Sequence, residues 1–187
     1  ITDPSYEGQI LVITYPLVGN YGVSDANLKD ELLEQLPRYF ESNKIHVAGL
    51  VIAHYTEEFS HWLAKSSLGD WLKRENVPAV YGVDTRALTK HLRESGSMLG
   101  RLGLQIGEKS VDLNQPQWKD SFELPGWVDP NVKNLVAEVS IKEPQLYVPP
   151  ADKVELQKGP DGKVLRIVAI DVGMKYNQIR CFVKRGV

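Results

Sequence analysis

The stretch Val164-Leu165-Arg166-Ile167-Val168-Ala169-Ile170-Asp171-Val172-Gly173-Met174-Lys175-Tyr176-Asn177-Gln178-Ile179-Arg180 decides the fold class. Its first seven residues are apolar except Arg166 and rich in β-branched side chains, the composition of a strand buried on both faces. Asp171-Val172-Gly173 makes a tight turn. From Lys175 to Arg185 a helix is expected, with Tyr176, Ile179, Phe182 and Val183 on one face. Strand, turn and helix in this order form one half of a parallel β-α unit. A strand of this kind needs neighbours, and none follows it in the sequence, so the reading expects the opening of a second domain that is cut off. Gly186-Val187, read as a helix cap and the first residue of a next strand, gives the same expectation. Ile1 in place of Met adds the expectation that the chain is either processed or a fragment.

Upstream, Lys142 to Gly162 is rich in Pro, Lys, Asp and Gly without a sustained period. It is the best interdomain linker, with a hairpin-like turn at Pro160-Asp161-Gly162. The earlier part alternates strand and helix. Gln9 to Thr14 and Ile45 to Ala53 read as short buried strands, Pro78 to Val83 as another, and Met98 to Ile106 as a glycine-interrupted one. Asp30 to Phe40 carries Leu32, Leu33 and Leu36 at helical spacing, but Pro37 limits any helix there. Ser67 to Asp70 resembles a capping box for a helix ending near Asn76. Asp84 caps a second helix, with Ala87, Leu88, His91 and Leu92 on its apolar face and Gly96 at its end. Gly107 to Gly126 is mostly loop. Asp129-Pro130 is a cap with proline at the first helical position, ahead of a short helix over Asn131 to Val139.

Composition excludes several functions. The 187 residues carry 22 basic and 24 acidic side chains, a net charge of −2, so no global field draws the chain to nucleic acid or an anionic membrane. The longest apolar run, Val47 to Ala53, is far short of the ~20 residues a membrane helix needs. The first residues show no basic stretch followed by an apolar one, so no signal peptide is expected in them. A single cysteine rules out an internal disulfide framework and a cysteine-based zinc site.

The residues that could carry chemistry read mostly as structural. Cys181 falls deep in the last helix, away from the N-terminal dipole that favours a thiolate, so it reads as inert. His46, His54, His61 and His91 have no metal-ligand spacing and read as packed or hydrogen-bonded. Gly100, Gly103 and Gly107 fit no phosphate-binding pattern and read as bulge or close-packing glycines. The carboxylate of Asp171 would repel an anion at the helix start, so Asp171-Val172-Gly173 reads as a structural turn. Lys73-Arg74 and Lys184-Arg185 end helices. Trp62, Trp71, Trp118 and Trp127 read as core or interface anchors, since no basic stripe accompanies them. Composition and spacing thus yield no complete active site.

Four stretches, in order, resemble the small, glutamine-hydrolysing chain of carbamoyl phosphate synthetase. They are Thr2-Asp3-Pro4-Ser5-Tyr6 with Gly8-Gln9-Ile10; Thr14-Tyr15-Pro16-Leu17-Val18-Gly19-Asn20-Tyr21-Gly22; Asp84-Thr85-Arg86-Ala87-Leu88-Thr89 with Leu92-Arg93-Glu94-Ser95-Gly96; and Ala169 to Arg180. The segment Lys175 to Cys181 looks most like the fused pyrimidine-pathway proteins of fungi and animals. The resemblance implies an α/β architecture. Residues 1–145 would form the small-chain N-terminal mixed α/β domain, lacking its first strands. Residues 146–163 would be the linker. Residues 164–187 would hold the first β-α unit of a flavodoxin-like class I glutamine amidotransferase domain.

In that family a Cys-His-Glu triad hydrolyses glutamine and ammonia travels to a synthetase portion. There ATP, with Mg, and bicarbonate complete carbamoyl phosphate for pyrimidine or arginine biosynthesis. The expected partners are the synthetase subunit or domain and glutamine, with no nucleic acid and no membrane, in the cytoplasm. The family's glutamine-contacting serine matches Ser5, whose hydroxyl can donate and accept; turn stabilisation is the plainer role for the same residue. This sequence has no Gly-x-Cys-x-Gly elbow and no His-x-Glu after it, and Cys181 matches a helix position rather than the nucleophile. No catalytic residue, cofactor or metal is therefore expected in these residues, and the chain alone should be inactive. A non-catalytic interaction module built on the same domain is the second reading, and a nucleotide-binding α/β protein the third.

Overall fold

The computed structural model describes residues 1–103 and 127–187. Its strands are β1 (Ile10–Ile13), β2 (Val23–Ser24), β3 (Gly49–Ile52), β4 (Ala64–Ser66) and β5 (Ala79–Val80). Its helices are α1 (Leu68–Arg74), α2 (Thr85–Ser95), α3 (Leu135–Val139) and α4 (Tyr176–Lys184). The fold is mixed α/β, as the sequence indicates. A parallel sheet runs in the order β1-β3-β5, and β2 pairs antiparallel with β4. Ile10 lies opposite Gly49 and Ile13 opposite Ile52, while Leu50 faces Ala79.

The central strand is β3, and all four of its residues are buried. That position explains the unbroken Gly-Leu-Val-Ile run, because a parallel strand in mid-sheet meets apolar neighbours on both faces. Gly49 also lets Leu102 approach: a Cβ there would stand 2.6 Å from Leu102 Cδ1. Ile45, Val47, Leu50, Ile52 and Leu72 form the core, with Leu11, Ile13 and Trp71 packed against it. Each such side chain stabilises the fold by roughly 1.5–3 kcal/mol. Phe40 meets the edge of Trp71 at a centroid distance of 5.4 Å.

The helix caps match the sequence reading. Ser67 Oγ accepts the Asp70 N–H at 3.0 Å to start α1, and Asp84 Oδ1 accepts the Ala87 N–H at 2.9 Å to start α2. The Pro160-Asp161-Gly162 turn is present, closed by the Gly159 N–H on the Lys163 carbonyl at 2.9 Å and by the Lys158–Val164 bridge.

Several expectations need correction. No helix forms over Asp30 to Phe40. Asp30 Oδ1 instead accepts the N–H groups of Leu32 and Leu33, and Pro37, which has no N–H, bridges to Lys29. Leu33 and Leu36 are buried all the same, against Ile179 and Val183 of α4. Residues 98–103 form no strand, and 104–106 lie outside the described residues, as do Gly107, Trp118 and the rest of 107–126, where a loop is expected from sequence. The helix expected over Asn131 to Val139 is split. A single 3-10 turn, Pro130–Val132, precedes an extended Lys133, and Asn134 then caps α3.

The apolar run Val164 to Ile170 is not a ladder strand. Val164 bridges Lys158, but Val168 and Ile170 are 93% and 85% exposed, because no described strand lies beside them. Of the four residues expected on the apolar face of α2, Ala87 and His91 are exposed, and Leu88 and Leu92 are half-buried. In α4, Phe182 faces outward and Arg180 is buried in its stead.

Candidate functional site

Ser5 stands in a 3-10 turn, Pro4–Tyr6. Pro4 presets the backbone for the turn. Asp3 Oδ1 accepts the Ser5 N–H at 3.0 Å, and Gln9 Nε2 donates to the Ser5 carbonyl at 2.9 Å. The backbone of Ser5 is thereby fixed while the residue remains exposed. Its hydroxyl lies beside the Asp3 carboxylate, which it helps to stabilise, and remains at the surface, where it can meet a polar ligand.

The turn is packed against the start of α4, more than 160 positions later in the sequence. Gly173 has φ +102°, and a Cβ there would meet Val139 Cγ2 at 2.9 Å and Pro4 Cβ at 3.4 Å, so only glycine fits. Asp3 Oδ2 pairs with Lys175 Nζ at 3.3 Å. Partial burial pushes the Asp3 carboxyl up, but the Ser5 N–H, the Ser5 hydroxyl and the Lys175 ammonium outweigh it and hold it below its ordinary value.

Asp171 is a structural turn residue, as the sequence reading expects. Its Oδ1 accepts the N–H groups of Gly173 at 2.8 Å and Met174 at 2.7 Å, and its Oδ2 that of Ile141 at 2.9 Å. Burial raises this carboxyl, and the three N–H donors more than compensate, leaving it below the usual range. The Ser140 hydroxyl donates to the Asp171 carbonyl at 2.9 Å, so the end of α3 joins the same seam.

On its other side the Ser5 turn leads to Glu7. Glu7 Oε2 bonds His46 Nδ1 and pairs with Lys44 Nζ at 3.1 Å, while His46 Nε2 lies 2.9 Å from Ser42 Oγ. Burial raises the Glu7 carboxyl, and His46 and Lys44 together bring it below its ordinary value. Glu7, His46 and Ser42 have the connectivity of a nucleophile relay. Ser42 is buried, however, and its hydroxyl donates to the Lys44 carbonyl at 3.0 Å, so no substrate reaches it. The trio ties the turn to the strand that follows. Sequence reasoning missed it because residues 7, 42 and 46 show no motif spacing.

The remaining sequence candidates are not brought together. His54 and His91 are exposed, and His61 stacks on the exposed Trp62. Cys181 is half-buried in the middle of α4. No group of three or more His, Cys, Asp or Glu able to hold a metal occurs among the described residues. A cavity of about 570 Å³ opens at the carboxyl ends of β3 and β5, between Tyr55, Phe59, Tyr81 and Lys73. It includes no residue of the Ser5 turn. No described helix is long and apolar enough to cross a membrane.

A parallel-sheet α/β domain, with an exposed serine turn clamped onto a following turn and helix, is thus the class that fold and site define. The chain belongs to a known family of this class: the one described as "Carbamoyl-phosphate synthase small chain, CPSase domain" matches residues 1–102. It is 72% identical over its whole length to the Multifunctional protein URA2 of Saccharomyces cerevisiae, of which it spans 9%. It is 62% identical to the Multifunctional protein pyr-3 of Neurospora crassa, of which it spans 10%. It is 45% identical to the carbamoyl phosphate synthase arginine-specific small chain of Eremothecium gossypii, of which it spans 41%. A matching segment therefore occurs both in multifunctional proteins and in a small chain.

Proposed function

We propose that this chain is the small-chain portion of a glutamine-dependent carbamoyl phosphate synthetase, a ligase that serves pyrimidine biosynthesis. Its identity to the two fungal multifunctional proteins favours that branch over the arginine one. Residues 1–145 act as the N-terminal domain, 146–163 as a linker, and 164–187 as the first β-α unit of the amidotransferase domain. The exposed apolar run Val164 to Ile170 supports this division, since a side chain such as Val168, 93% exposed, calls for a neighbouring strand.

The observation that carries the functional reading is the Ser5 turn. It presents a hydroxyl with a fixed backbone, packed on the turn that opens the amidotransferase portion. In this reading Ser5 bonds the polar end of glutamine, and the catalytic triad is contributed from outside these residues. The synthetase portion, with its ATP and Mg, is the partner, and the complex works in the cytoplasm. Within it the chain shields the glutamine site and contacts the synthetase.

The test exchanges residues 1–187 for the matching segment of the Saccharomyces cerevisiae multifunctional protein and measures carbamoyl phosphate synthesis. Support from glutamine and from ammonia is the expected result. A folded chimera that uses ammonia but not glutamine would exclude the proposed role.

A further inference from the structure

Arg180 is a buried cation whose partners all lie in an earlier segment, residues 30–40 and their neighbour Glu41. Its Nη2 donates to the Phe40 carbonyl at 2.8 Å and to the Pro37 carbonyl. Its Nε stands 3.2 Å from Asp30 Oδ2, as an ion pair rather than an aligned hydrogen bond, and its Nη1 is 3.9 Å from Glu41 Oε1. A planar guanidinium can address two carbonyls and two carboxylates together, and an ammonium cannot. Ile179 and Val183 pack on Leu33 and Leu36 beside it.

The same segment grips both halves of the seam. The Glu41 carbonyl accepts the Tyr176 N–H at 2.9 Å, and Glu41 Oε2 accepts the Asn177 N–H at 2.9 Å. The Glu41 N–H donates to Thr2 Oγ1 at 3.2 Å, immediately before the Ser5 turn. Apolar contacts alone would let α4 rotate or slide on Leu33 and Leu36. Directional bonds to fixed carbonyls define one register.

We propose that Arg180 is a positioning residue for glutamine. It fixes α4 on the 30–41 segment and so sets where the Ser5 hydroxyl stands relative to the 171–175 turn. Arg180 touches no substrate; it acts through Glu41 and the segment it holds. This inference rests on the reading of Ser5 as a glutamine contact.

The experiment uses the full-length yeast chimera with Arg180→Met, Arg180→Lys, Asp30→Asn, Ser5→Ala and the Ser5→Ala/Arg180→Met double variant. Glutamine- and ammonia-dependent kinetics are measured with thermal unfolding of each. Arg180→Met is expected to raise the glutamine KM roughly tenfold to a hundredfold with ammonia-dependent turnover retained. Arg180→Lys should recover part of that loss. In the Ser5→Ala background the further rise should be much smaller, since the two residues act on one contact. Should Arg180→Met fail to fold, Asp30→Asn takes its place, with a smaller KM rise expected.

An unchanged glutamine KM in the folded Arg180 or Asp30 variants would overturn the proposal. So would equal losses of glutamine- and ammonia-dependent turnover, which a purely structural role produces. A raised KM for Ser5→Ala with an unchanged KM for Arg180→Met overturns this proposal alone. The reverse pattern overturns the Ser5 reading, and with it the route through the Ser5 hydroxyl proposed for Arg180.

Discussion

The carboxylate of Glu41 accepts the backbone N–H of Asn177 at 2.9 Å, across 136 residues of chain. The first N–H groups of a helix have no partner within it. Lys175, at the cap position of α4, makes no side-chain cap bond, so part of the capping comes from another region of the fold. Local sequence supplies Gln178 Oε1, which accepts the Lys175 N–H at 2.9 Å, and tertiary structure supplies the acceptor for Asn177.

Replacing that acceptor should be felt in stability. Glu41→Ala is expected to cost about 1 kcal/mol, in line with the loss of a helix cap. Differential scanning calorimetry should then show a fall of about 2–4 °C in the unfolding midpoint. Glu41→Gln retains an oxygen acceptor and should lose less; equal losses in the two variants would remove the capping role.

Ser5→Ala should raise the glutamine KM of the yeast chimera by about tenfold, the loss expected for one hydrogen bond to a charged ligand group. Secondary structure by circular dichroism should not change, since the bonds that shape the turn run through the backbone of Ser5. An unaltered KM would return Ser5 to a turn-forming role only.

Gly173→Ala should destabilise the protein by more than about 1 kcal/mol, because the backbone conformation is incompatible with a side chain. The φ of +102° and the Val139 Cγ2 atom at 2.9 Å both oppose the new methyl. Val139→Ala in the same chain should restore only part of the loss, since it relieves the contact and leaves the backbone strain. Urea unfolding of the single and double variants measures both parts.

Acid should weaken the seam. Asp3, Glu7 and Asp171 each titrate below their ordinary values of 3.8, 4.5 and 3.8 in the folded chain. The folded state thus binds fewer protons than the unfolded one in this range. The stability they contribute is present above those ordinary values and drains away as pH falls through the lower folded ones. Glu7→Gln should flatten the decline when unfolding is followed from pH 6 to pH 2.

Local chemistry made much of this protein readable. The Ser67 and Asp84 caps need only a side-chain oxygen three residues before an N–H, and β3 needs only an apolar run of strand length. The Asp171-Val172-Gly173 turn likewise follows from a short acceptor beside a residue tolerant of positive φ. Ser5 was legible through its motif, but its relation to Gly173 and Lys175 was not. Leu32, Leu33 and Leu36 misled at the level of secondary structure, because their spacing reports which residues are buried and not the path of the backbone between them. Residues 164–170 misled in the opposite way: their composition is that of a strand, and a strand exists only where a neighbour accepts its hydrogen bonds.

The sequence by itself determined the α/β class, the caps, the turns and the family, because each depends on residues close together in the chain or on motifs in a fixed order. Only the tertiary structure decided that Arg180 is buried, that Glu41 serves α4, and that Glu7, His46 and Ser42 form one network. Apart from Ser42 and His46, four positions apart, those contacts join charged and polar groups 39 to 150 positions apart, and a charge is buried only where folding brings its partner to it.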